Sequence, residues 1–146
     1  MKRLFFILTL SLSLTSVRSF ANGIDVSGNV LESFRSSFKN ASDVNWTKVD
    51  NYYKASFMLN EQYASAFFDQ EGKMIALTRN ISMNQLPMSL QLSLKKNYSN
   101  YWITDLFEMN DEQGISYYVS IENGDATVVL KSNTVSDWYN FKKISK

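Results

Sequence analysis

The stretch VNWTKVDNYYKASFMLNEQYASAFFDQEGKMI, residues 44–75, decides the fold. In it Tyr53-x-Ala55-x-Phe57 and Ala64-x-Ala66-x-Phe68 each alternate an apolar residue with its neighbour, the period of a strand with one face buried. Asp50-Asn51 and Asn60-Glu61 stand between the apolar runs as two-residue hairpin turns, and Asp69-Gln70-Glu71-Gly72 follows as a longer one. These turns pair Val49 with Tyr52 and Leu59 with Gln62. Trp46, Tyr53, Ala55, Phe57, Ala64, Ala66 and Phe68 then share one face, and Lys54, Ser56, Met58, Tyr63, Ser65 and Phe67 share the other, with Met58 opposite Tyr63 and Ser56 opposite Ser65. The alanines among the aromatics leave room for a helix on the first face. Gly72 is expected at positive φ, with a possible bulge after Phe68 that leaves open whether Met74 or Ile75 points inward.

That helix is expected just upstream, over residues 29–39. Asn29-x-x-Glu32 has the form of a capping box, and Val30, Leu31, Phe34 and Phe38 make one apolar stripe at helical spacing. The same order of signals comes again. Leu86-Pro87 opens a helix running to about Tyr98, with Leu86, Leu90 and Leu94 at four-residue spacing. Tyr101 to Met109 reads as a strand and 110–114 as a polar loop. Asn123-Gly124 is a type I′ hairpin signal that puts Tyr117, Val119, Ile121, Ala126, Val128 and Leu130 on one face. Lys39-Asn40-Ala41-Ser42-Asp43 is echoed 57 residues later by Lys96-Asn97-Tyr98-Ser99-Asn100. The reading is an α+β chain of two tandem α-β repeats, about 28–80 and 82–146, with helices packed on one face of an antiparallel sheet. Whether the repeats form one sheet or two is left open.

Residues 1–21 read as a cleaved signal peptide. Met1-Lys2-Arg3 is a cationic start, Leu4 to Leu14 is apolar but far short of the ~20 residues that span a bilayer, and Ser19-Phe20-Ala21 suits a signal peptidase. Cleavage after Ala21 would place residues 22–146 in the periplasm or outside the cell, with no stable membrane insertion. It removes Lys2, Arg3 and Arg18 and leaves 12 basic against 14 acidic residues, a net charge of −2. That balance argues against nucleic acid as a partner and gives no electrostatic reason to bind anionic lipid. The 125 residues left suffice for one domain with a core. The sequons at Asn40, Asn45, Asn80 and Asn97 matter only in a eukaryotic secretory pathway.

At Phe38, Val44 and Trp46, at Ala55-x-Phe57, at Ala64-x-Ala66-Phe67-Phe68-Asp69-x-x-Gly72-Lys73 and at Leu86-Pro87, the chain resembles the exported PepSY-like proteins of Bacteroidetes, also described as β-lactamase-inhibitor-protein-like. The resemblance covers nearly all of residues 22–146. It departs at Asn40, where proline is usual, and at Leu130-Lys131-Ser132-Asn133-Thr134, where an Asp-x-x-Gly turn would be expected. It implies helices on one face of an antiparallel sheet, a periplasmic or surface location and no known catalysis. It does not carry over an inhibited target, because shape does not transfer a partner.

The chain has no His and no Cys, which removes the commonest general base, the thiol nucleophile and two main soft-metal ligands. Ser-x-x-Lys occurs at Ser36 to Lys39 and Ser93 to Lys96, but no Lys-Thr-Gly or Ser-Asp-Asn accompanies it, and lysines late in a helix complement its negative end. Carboxylates gather at Asp69 and Glu71, Asp111 and Glu112, and Glu122 and Asp125, all in expected turns and none with calcium-loop spacing. No cofactor, metal or catalytic residue is assigned, and a hydrolase using lysine or carboxylates is the weakest of three readings. The leading one is binding of a protein or peptide of the cell envelope, as an inhibitor or regulator, through the open sheet face at Met58, Tyr63 and Phe67 with Tyr118, Thr127 and Val129 as second-half counterparts. The alternative is a small-molecule, lipid or glycan carrier or sensor using Trp102, Trp138 and Tyr139. The sequence does not specify an oligomeric state.

Overall fold

The structure, a computed structural model, describes residues 24–145, so the expected signal peptide lies outside the described residues. Helix α1 (Gly28–Ser37) leads into strands β1 (Ser42–Val49), β2 (Tyr52–Leu59), β3 (Gln62–Phe68) and β4 (Met74–Asn80). A 3-10 turn (Met83–Gln85) and helix α2 (Met88–Asn97) precede β5 (Trp102–Asp111), β6 (Gly114–Glu122), β7 (Ala126–Ser132) and β8 (Tyr139–Ser145). All eight strands form one antiparallel sheet in chain order, β1 to β8, which answers the question of one sheet or two. At the middle of the sheet β4 pairs with β5, and Arg79 clamps Glu108 across that joint through two hydrogen bonds of 2.9 and 3.2 Å.

The first hairpins follow from their turn chemistry. Val49 pairs with Tyr52 and Leu59 with Gln62, and Asn60 and Glu61 both take positive φ as a tight hairpin turn demands. Gly72 has φ +91, and Asp69 Oδ1 accepts hydrogen bonds from the Glu71 and Lys73 backbone N–H groups, so the turn is closed by its own carboxylate. The ladder slips between Phe67 and Phe68; Met74 ends exposed and Ile75 half-buried.

Three expectations are corrected. Asn29 does not cap α1, which starts at Gly28 with Ser27 in the cap position and no side-chain cap bond; the reciprocal capping box forms instead at Ser82 and Gln85 of the 3-10 turn. The polar loop at 110–114 shrinks, since β5 runs through Asp111 and β6 starts at Gly114. Asn123-Gly124 is not a type I′ turn. Neither residue has positive φ, Glu122 pairs with Thr127, and Asn123 Oδ1 accepts from the Asp125 and Ala126 N–H groups, which favours a longer loop. Ile121 therefore faces Val128 and Val119 faces Leu130. A slip of two residues keeps each side chain on its face, so the inward set survives the change.

Both helices lie on the same side of the sheet. Under α1, Val30, Phe34 and Phe38 pack on Tyr53, Ala55, Phe57, Ala66 and Phe68, with Trp46 and Ala64 partly buried at the edge. Under α2, Leu86, Leu90 and Leu94 pack on Leu106, Val119, Ile121, Ala126, Val128 and Leu130. The alanines of β2 and β3 are what let the rings of α1 reach the strands: Phe34 lies edge-on to Phe57 at 5.1 Å and to Trp46 at 5.2 Å.

Candidate functional site

Among the described residues no helix lies on the other side of the sheet, and the residues that alternate with the core form a second surface across all eight strands. The ladders place Met58 opposite Tyr63, Ser56 opposite Ser65 and Lys54 opposite Phe67 in the first half. In the second half Phe107 faces Tyr118, which faces Lys131, while Ser120 faces Val129 and Glu122 faces Thr127. All six candidate contact residues thus share this face, in two groups toward its two sides.

They are not equally accessible. Tyr63 is 68% exposed, whereas Phe67 and Tyr118 are each 4% exposed and Phe107 7%. Neighbouring side chains shield them. Lys54 Nζ sits 5.7 Å above the Phe67 ring and Lys131 Nζ 5.1 Å above Tyr118, each lysine stem covering a ring while its ammonium stays in water. Phe107 stacks on Tyr118 with 5.0 Å between centroids, and Phe141 of β8 meets Tyr118 edge-on at 5.5 Å. Met58, Thr127 and Val129 are half-buried. Between the aromatic groups runs a hydroxyl row in which Ser56 and Ser65 are hydrogen-bonded at 3.2 Å and Thr78 donates to the Ser65 carbonyl.

Burial, with the negative charge of Asp111 as a lesser contribution, pushes the Tyr118 phenol up to about 12. Burial also raises Asp105 above the ordinary carboxylate range, against the Leu106 N–H and the Asn80 amide that pull it down. Tyr118 is therefore a neutral ring at physiological pH and serves this face as a stacking group. Phe107, Phe141, Lys54 and Lys131 belong to the surface although the sequence did not single them out as contacts. Alternation along 101–109 marks Phe107 as Leu106's opposite, but Phe141 faces this way only because of a bulge opposite Val129 and Leu130.

The residues named for a small-ligand site do not converge. Trp138 packs on the α2 core and its indole N–H donates to the Leu90 carbonyl at 3.0 Å, so it is structural; Trp102 and Tyr139 are exposed. The Ser-x-x-Lys serines are engaged locally, Ser36 donating to the Ser33 carbonyl and Ser93 accepting from the Asn97 amide. The acidic pairs stay in separate turns, Glu112 forming an ion pair with Lys73, and among the described residues no three carboxylates gather where they could hold a metal.

Neither a protein-family model nor a curated protein sequence matches the chain. Solved structures do. A BLIP-like protein from Bacteroides fragilis superposes with TM-score 0.73 at 18% identity, covering 84% of this chain and 89% of that one. A DUF2874 family protein from Bacteroides uniformis gives 0.73 at 13%, covering 82% and 88%. A provisionally assigned periplasmic protein from Bacteroides eggerthii gives 0.74 at 9%, again covering 82% and 88%. At these identities the likeness establishes the fold, which is the α+β, BLIP-like architecture that the sequence resemblance implies.

Proposed function

We propose that this chain is an exported, non-catalytic protein that binds a protein or peptide of the cell envelope, as an inhibitor or regulator, through the face of its sheet opposite α1 and α2. One observation carries the reading: a side of the sheet on which no described helix lies presents Tyr63, 68% exposed, beside Met58, with a lysine over an aromatic ring in each half. The groups accessible there are Tyr63, with half-buried Met58 and Val129 and the lysines that lie over the shielded rings, a mix of apolar and cationic side chains that suits recognition. The cationic start, short apolar run and small-x-small site within residues 1–21 support export, as does the periplasmic description of one structural neighbour. Each half of the chain runs helix and then four strands, which favours origin by tandem duplication of one α-β unit.

The test is affinity capture from envelope extract of the host with residues 22–146, beside two variants of the open face and one of the opposite side. Tyr63→Ala is expected to lose a saturable partner while keeping the melting temperature, and Val129→Ser to lose it with a small fall in melting temperature, since Val129 is half-buried; Met88→Ala, exposed on α2, is expected to retain it. Phe67 is left intact because its burial would confuse lost binding with lost stability. A partner held equally by all three variants overturns the assignment of the face.

A further inference from the structure

The helix layer differs between the two halves in what fills it. Hydrogen bonds mark equivalent points: Phe38 N–H donates to the Phe34 carbonyl and Ala41 N–H to that of Phe38, and Tyr98 N–H donates to Leu94 and Tyr101 N–H to Tyr98, a spacing of 60 residues that replaces the 57 of the Lys39 and Lys96 echo. The pair Trp46 and Ala55 of the first half corresponds to Leu106 and Val119 of the second, and Phe57 to Ile121. In the first half the Phe38 ring lies 5.3 Å from Phe34 and 4.7 Å from Phe57, and these rings close the space between helix and strands. In the second, Leu94 and Ile121 stand where Phe34 and Phe57 do. Tyr98 turns edge-on to Tyr101 at 6.0 Å, and a groove of about 340 Å³ opens over Leu94 and Ile121.

The groove has a sided chemistry. Its floor is the buried Leu94 and Ile121, its walls are Met83, Tyr98 and Tyr101, and Lys95 stands at its mouth. Among the described residues Lys95 has no ion-pair partner, and Lys96 in the same turn already complements the negative end of α2. An apolar trough with one unmatched cation at its edge fits a ligand with an apolar body and one anionic end. The volume lies at the small end of the range for ligand sites, enough for a single tail and too small for two. We propose that this groove binds a medium-chain fatty carboxylate, its tail alongside the contacting Tyr98–Tyr101 pair and over Leu94 and Ile121, and its carboxylate at Lys95 Nζ. The site is on the helix side of the sheet and is independent of the open-face reading.

The experiment is methyl NMR titration of residues 22–146 with decanoate, decanol and decyltrimethylammonium, following Met83, Leu94, Ile103 and Ile121. Decanoate is expected to give saturable shifts confined to these methyls and to bind about tenfold more tightly than decanol, the scale of one charge-assisted contact. Lys95→Gln should bring decanoate down to the decanol affinity and leave decanol unchanged. Ile103→Trp, at an exposed position on the rim, should block both while the melting temperature holds. The proposal is overturned if decanoate gives no saturable shift, if it binds no better than decanol or decyltrimethylammonium, if Lys95→Gln changes nothing, or if the shifts fall on Met58 and Met109 of the other face.

Discussion

Phe107 on β5 and Tyr118 on β6 are stacked nearly parallel, 7° between ring planes, on the side of the sheet opposite α1 and α2. Edge-to-face Phe141 and the Lys131 stem close over the pair, so a ring on a nominally open face behaves as a buried one. The Tyr118 phenol is pushed from 10.0 to about 12. Its folded-state value is the raised one, so this group favours the folded state in full below pH 10, and that contribution disappears as pH climbs through about 12. Tyr118→Phe should be within ~0.5 kcal/mol of wild type at neutral pH. In strong alkali it should be the more stable protein, by roughly 2 kcal/mol once the wild-type phenol must ionise. Denaturant melts of both proteins across that range, with tyrosinate absorbance as the titration signal, read the difference. Parallel stability curves would contradict it.

Gly72 joins the β3–β4 turn to the start of α1. A Cβ there would lie 2.8 Å from the Asn29 carbonyl oxygen and 2.9 Å from its carbon, both backbone atoms that cannot swing aside, at φ +91. Gly72→Ala is expected to cost about 2–3 kcal/mol from strain and clash together. Gly124→Ala, with nothing within 4 Å and no positive φ, should be neutral or stabilise by ~0.5 kcal/mol. Chemical denaturation of the two variants side by side tests the pair; equal effects would mean that α1 does not rest on the turn.

Asp105 is a carboxylate whose ionised form is disfavoured by burial. Its folded-state pKa is raised, so it supports the fold below the ordinary carboxylate range and burdens it once ionised above that range. Asp105→Asn should therefore raise the melting temperature at neutral pH and lose that advantage in acid. Thermal melts at the two pH values suffice, and a variant less stable than wild type at neutral pH would show that the Asn80 hydrogen bond outweighs desolvation.

Trp138 ties the segment before β8 to α2 through its bond to the Leu90 carbonyl. Trp138→Phe keeps most of the apolar contact and removes the donor, with an expected cost of about 1 kcal/mol. Amide hydrogen exchange should show the loss concentrated in β8, whose residues are all exposed and which is the last strand of the sheet among the described residues. Uniform loss over the whole sheet would mean instead that the segment unfolds only with the domain.

Much of the open face could be read from the chain because period-two alternation and turn chemistry are local. Once Asn60-Glu61 sets the β2–β3 hairpin, Tyr53, Ala55 and Phe57 must face the helix and Ser56, Met58 and Tyr63 must face away. The β6–β7 hairpin shows the limit. Its faces were legible although its register was not, because the side chain of Asn123 bonds two backbone N–H groups and lengthens the loop by an even number of residues. The Asn29 cap failed for a related reason: a capping pattern is short enough to recur where tertiary packing starts the helix elsewhere.

The sequence by itself determined both helices, the strands up to Leu130 and their inward set of side chains, since each depends on residues only a few positions apart; β8 was not among them. The tertiary structure alone decided that β4 pairs with β5 to make one sheet, that Phe67, Phe107 and Tyr118 are shielded on the face opposite α1 and α2, and that a groove opens above Leu94 and Ile121 in the second half. Those outcomes depend on how side chains distant in the chain share volume and pair backbone groups, and alternation within a strand carries no information about either.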